Sequence, residues 1–127
     1  MVNNRVQFKA SLEAALGDSF TGDVKMGRPE GRVVLPLVTY EQVTNVSLGK
    51  WQERIEYQVD VFDSTFAKCL QYVFLIDDAL TELGYVRTYE SPDTVAREEA
   101  DLYHKVLNYY ALVDTHNMNI LGGYYGE

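Results

Sequence analysis

The sequence predicts an α+β fold: a two-layer domain, mainly an antiparallel sheet of about four strands with two helices packed on it. Three observations carry that expectation. Residues 51–62 alternate between apolar and polar side chains, the pattern of a half-buried strand. Residues 64–83 are apolar at helical spacing, with Ser64 or Thr65 as a cap and Gly84 as a stop. The segments then follow in the order helix, strand, strand, helix, strand, strand. At 127 residues the chain fits one domain, 1–127. A domain of that length buries roughly two-thirds of the surface its unfolded chain exposes, so it needs no disulfide or metal to fold.

Residues 4–16 read as the first helix. Val6, Ala10, Leu12, Ala15 and Leu16 approximate one face, Asn3 or Asn4 caps the start, and Gly17 ends it. Residues 17–32 carry Gly17, Gly22, Gly27, Pro29 and Gly31 and read as loop. Residues 33–40 read as a strand in which Pro36, lacking an N–H, implies an edge position or a bulge. Residues 41–50 form a polar connection to the next strand, 51–62, making a hairpin with a long loop.

In that second strand Trp51, Ile55, Tyr57, Val59 and Val61 share a face, with Glu53 as the exception. In the helix 64–83, Phe74, Leu75 and Ala79 widen the apolar stripe almost around the cylinder. A helix that apolar is buried on more than one side, the second side being another subunit. Asp77, Asp78 and Glu82 crowd its C-terminal half, where the dipole disfavours negative charge, so they have partners elsewhere or form an exposed acidic strip. Residues 85–90 read as a short strand. Residues 103–114 fit either period, and their Tyr- and Val-rich content favours a strand with Tyr103, Lys105, Leu107, Tyr109, Ala111 and Val113 on one face. Residues 117–127, with Gly122, Gly123 and Gly126 around Tyr124 and Tyr125, read as a flexible tail.

Charge excludes one function class. Lys plus Arg number 11 and Asp plus Glu 19, for a net charge of −8. An acidic chain of this size is poorly suited to wrapping nucleic acid, whose affinity comes from neutralised phosphates. The acidity is uneven: residues 1–54 hold seven basic and six acidic residues, net +1, and residues 55–127 hold four and thirteen, net −9. Seven of the ten tyrosines, residues suited to interfaces, lie from Tyr85 onward. Met1 to Arg5 show no apolar leader, and no stretch of about 18 apolar residues would span a bilayer, so a cytosolic, membrane-free setting is expected.

Chemistry-bearing patterns are sparse. His104 and His116 are the only histidines, and neither falls into zinc-ligand spacing with Cys69. Cys69 lies on the apolar side of its helix and reads as a small hydrophobe. Gly49-Lys50 fails as a phosphate loop because Thr44 and Trp51 stand where Gly and Ser or Thr are needed. Adjacent Asp77 and Asp78 point about 100° apart on a helix and do not converge as an acid–base pair. Glu98, Glu99 and Asp101 read as a solvated turn, and Lys25 to Arg32 as a solvated basic loop. Catalytic residues and cofactors are therefore not expected. The C-terminal Ile120, Leu121, Tyr124 and Tyr125 suit either an arm that docks on a neighbour or a tail folded on its own core.

The stretch from Val33 to Val113 resembles a known family. Leu35-Pro36-Leu37-Val38-Thr39-Tyr40, then Glu56-Tyr57-Gln58-Val59-Asp60-Val61-Phe62, then the helix Ala67–Leu80, then Tyr103-His104-Lys105-Val106-Leu107-Asn108-Tyr109, is similar to the tail terminator (tail-completion) proteins of long-tailed bacteriophages. The likeness lies in the order and composition of elements over about two-thirds of the chain. It implies a virion structural protein without catalytic residues, assembled in the host cytoplasm and placed at the head–tail junction. It further implies a self-associating hexameric ring that stops tail-tube polymerisation and meets the head connector protein. DNA would pass through without specific binding.

On that reading the loop residues Asn45, Val46, Ser47 and Leu48 and the C-terminal Ile120, Leu121, Tyr124 and Tyr125 are candidate contacts with partners or neighbouring subunits. Asp77, Asp78 and Glu82 are a candidate acidic strip, lining the lumen or an interface. Another phage neck or head-completion protein is the nearest alternative. A small ligand-binding or enzymatic α+β domain using the acidic cluster is the alternative of a different class.

Overall fold

A computed structural model describes residues 3–28, 34–92, 102–117 and 119–122. Within them the chain runs α1 (Arg5–Leu16), β1 (Asp23–Met26), β2 (Leu37–Ser47), β3 (Gln52–Asp63), α2 (Phe66–Glu82), β4 (Val86–Glu90), β5 (Tyr103–Asp114) and β6 (Ile120–Gly122). The fold is α+β, but the sheet has six strands rather than about four, and it is mixed. Its order is β1-β2-β3-β5-β4, with β6 also pairing β5. The β1–β2 pair is parallel and the other pairs are antiparallel.

The alternation of β3 sets the architecture. Ile55, Tyr57, Val59 and Val61 face the helices, as do Leu107, Tyr109, Ala111 and Val113 of β5, and they join α1 and α2 in one core. Both helices lie on that side. Three buried charged residues share this face, Glu53 and Asp63 of β3 and Lys105 of β5. Lys105 is 1% exposed, its ammonium 2.9 Å from a Glu90 carboxylate oxygen and donating to the Ser91 carbonyl.

In α2, Thr65 is the N-cap, its side-chain oxygen accepting from the Lys68 amide. Cys69, Tyr72, Val73, Ile76 and Leu80 form the buried stripe. Phe74 lies outside it and is 61% exposed, so among the described residues the helix is covered on one side only.

The face of α1 differs from expectation. Phe8, Leu12 and Leu16, at i, i+4 and i+8, are buried, while Val6 and Ala10 are exposed. Phe8 decides the rotation, because its ring stacks on Tyr57 at 3.8 Å and meets Tyr85 edge-on at 5.4 Å. Asn4 is the N-cap residue but makes no side-chain cap. Its buried amide accepts from the Tyr57 hydroxyl at 2.7 Å and donates to the Tyr85 hydroxyl at 3.1 Å.

Three further boundaries move. β1 forms inside the segment read as loop. β2 starts after Pro36, so its missing donor costs no ladder bond, and it runs on to Ser47 through the expected connection. The tail is partly strand: β6 pairs with Leu112 and Val113 of β5. Residues 103–114 are a strand throughout.

Candidate functional site

β5 flanks β3 along its whole length up to the β2–β3 turn, but the other side of the hairpin is covered only in part. β1 pairs only with Leu37–Tyr40 of β2, so the outer edge of β2 beyond Tyr40 has no strand beside it among the described residues. A bulge between Gln42 and Thr44 shifts the register there and leaves Val43 exposed. The turn is short: Ser47 pairs with Glu53, the Leu48 amide donates to the Gln52 carbonyl at 3.0 Å, and Gly49 has φ +128°, a backbone state side chains rarely adopt.

The tip is anchored to the end of β5. The Thr115 amide donates to the Trp51 carbonyl and its hydroxyl to the Lys50 carbonyl, each at 3.0 Å. Trp51 packs against His116 at 4.1 Å, with the Lys50 ammonium 4.9 Å over its ring. Trp51 nevertheless is 49% exposed, not on the inner strand face as the alternation predicts. It sits in the turn, one residue before the ladder resumes.

Most of the sequence-named contact residues converge here. Val46, Ser47 and Leu48 are exposed on the hairpin, and Asn45 is half-buried on the helix side of β2. Leu121 is exposed on β6, beside the same end of β5, while Ile120 packs against the core. Pairing brings segments some 70 residues apart to one end of the sheet, displaying Val46, Leu48, Trp51 and Leu121. Tyr124 and Tyr125 lie outside the described residues, as do Glu98, Glu99 and Asp101. Trp51 and Phe74 are large exposed aromatic side chains that sequence periodicity assigns to apolar faces.

The acidic strip separates into two roles. Asp77 turns inward, accepting from the Tyr109 hydroxyl at 2.7 Å and pairing with Arg87 at 2.9 Å. Burial first, then this hydrogen bond to Asp77, push the Tyr109 pKa far above its ordinary value. Asp77 is therefore an internal partner and not part of an exposed strip. Asp78 and Glu82 are exposed on the outward face of α2.

The sheet face away from the helices carries a second feature. A concavity of about 490 Å³ is lined by Arg28, Glu41, Gln58, Asp60, Phe62 and His104, among others. His104 stacks on Phe62 at 4.1 Å, and its Nε2 lies 2.7 Å from an Asp60 carboxylate oxygen. A His–carboxylate pair orients an imidazole, but nucleophilic catalysis also needs an activated hydroxyl or thiol within its reach. The hydroxyls lining this concavity are those of Thr39 and Tyr40. Thr39 is buried and Tyr40 points to the helix side. Cys69 lies in the core, where burial, helped by Asp63, pushes its thiol up to about 11. No described group of three or more His, Cys, Asp or Glu residues is arranged to hold a metal. No described helix is long and apolar enough to cross a membrane.

Neither a family model nor a curated protein matches the chain.

Proposed function

We propose that this chain is a structural protein of a long-tailed bacteriophage, a tail terminator that self-assembles into a hexameric ring, stops tail-tube growth and offers a surface to the head connector. It acts through surface complementarity and not through catalysis. The observation that carries the reading is the pair of exposed apolar surfaces on one small chain. One is the sheet end with Val46, Leu48, Trp51 and Leu121; the other is the outward face of α2 with Phe74. Large apolar side chains on two different elements suit a head-to-tail contact, in which each copy uses both surfaces and the set closes into a ring. The resemblance in element order supplies the phage assignment.

The ligand-binding alternative has one observation in its favour, the His104–Asp60 pair in its concavity. The experiment that separates the readings is tube assembly. Purified chain added to polymerising tail-tube protein is expected to halt elongation and to sit at one tube end in negative-stain images. Tubes of unchanged length with bare ends would overturn the proposal.

A further inference from the structure

We infer that the hairpin tip of one copy docks on the outward face of α2 of the next copy. The inference rests on the ring reading and names the two surfaces that would meet. Each surface pairs an exposed aromatic with charge, and the charges are opposite. On the tip, Lys50 lies over the Trp51 ring with Val46 and Leu48 beside it, and no acidic residue occurs from Asn45 to Trp51. On α2, Phe74 is followed at i+4 and i+8 by Asp78 and Glu82, and Leu83 is exposed at the helix end. Residues at that spacing share one helix face.

The charges decide which pairing forms. Tip against tip would bring Lys50 to Lys50. Helix against helix would set Asp78 and Glu82 against their own copies. Like charges brought together at an interface oppose association, whereas tip against helix face joins Lys50 to two carboxylates and lets the apolar side chains bury each other. Apolar contact supplies the affinity and the ion pairs fix orientation. Because the two patches are different surfaces of the same chain, they can meet head to tail, and such a contact makes a ring where its rotation closes. Asp77 takes no part, since Arg87 and Tyr109 already hold it.

The test uses full-length chains carrying Lys50→Glu or the pair Asp78→Lys, Glu82→Lys. All three positions are exposed, so circular dichroism should match the parent. Light scattering across a concentration series reads assembly, and emission of the single tryptophan reads tip burial. The parent should assemble with a blue shift of Trp51, and each variant alone should need at least tenfold more protein to do so. Mixing the two variants should restore assembly to near the parent midpoint, because each tip then meets a face of opposite charge. Variants that assemble like the parent, or a mixture that fails to recover, would overturn this interface while leaving the ring reading standing. A parent chain that remains monomeric throughout would overturn the ring reading and the interface with it.

Discussion

Replacing Asn4 should unfold more than a helix end. Asn4 sits at the N-cap of α1, where Asn ordinarily satisfies a backbone donor. Here its amide instead bridges two core tyrosines, accepting from Tyr57 at 2.7 Å and donating to Tyr85 at 3.1 Å. Asn4→Ala would leave Tyr57 with only a 3.5 Å contact to Gln42 and Tyr85 without its described donor. Leaving a buried polar group unsatisfied costs about 1–3 kcal/mol, and with Tyr57 keeping its weak Gln42 contact the pair predicts a loss of about 2–4 kcal/mol. In a domain of this size that lowers Tm by roughly 10 °C.

Asn4→Ser separates the two accounts, because Ser caps as well as Asn but cannot span both hydroxyls. Urea and thermal unfolding followed by circular dichroism, at one fixed protein concentration, should show both variants falling together. In a Tyr85→Phe background the cost of Asn4→Ala should shrink by about 1 kcal/mol, the signature of direct coupling. A Ser variant that melts with the parent would refute the core-bridge reasoning in favour of capping.

Other outcomes follow from single contacts. Gly22→Ala should destabilise by about 3 kcal/mol or more, because an added Cβ would stand 1.8 Å from the Pro36 carbonyl oxygen and backbone must move; chemical denaturation checks it. Asp77→Asn, which keeps an acceptor for Tyr109 and loses only a half-exposed ion pair with Arg87, should cost under about 1 kcal/mol, whereas Asp77→Ala should cost about 1–3 kcal/mol. Cys69 should resist a thiol reagent at neutral pH and react at once in denaturant, since its thiol is buried and its pKa lies near 11.

Alkaline titration adds a signed prediction. Burial raises Tyr85 to about 12, and pushes Tyr57 and Tyr109 up as well, against an ordinary value of 10. Above pH 10 the unfolded chain releases protons that the folded chain retains, so stability falls as pH rises from 10 towards 12, by about 3 kcal/mol for Tyr85 alone. The part of the 295 nm absorbance change that Tyr85→Phe removes should appear in step with unfolding, and its appearance in a still-folded protein would contradict the account.

How much was legible in the sequence varied with how cleanly each element faces one environment. β3 and β5 each present one side to the helices and the other to a face that no described helix covers, so period two is plain, and even Lys105 falls on its correct side. α1 was found but rotated wrongly, because its alanines blur the stripe and Phe8 is the one large anchor. β1 is not legible: four residues among glycines, held by a parallel pairing that no local pattern announces. The outer half of β2 reads as a loop because its side chains are polar or exposed and no described strand flanks its outer edge. The exposed apolar end of the sheet is half legible. Val46, Leu48 and Leu121 stood out by composition, but only pairing through β5 reveals that they share one end with Trp51. Conversely, Asp77 looked like its acidic neighbours until Arg87 and Tyr109 were seen to hold it.

The central claim is that one subunit carries both halves of a self-complementary contact that closes on itself. Native mass spectrometry of the parent chain, with negative-stain imaging of the same sample, tests it most directly. The account predicts a species of six times the 14.5 kDa chain mass that appears as a ring with an open centre. A chain that stays at its monomer mass at every concentration, or closes as a two-fold dimer, would contradict it.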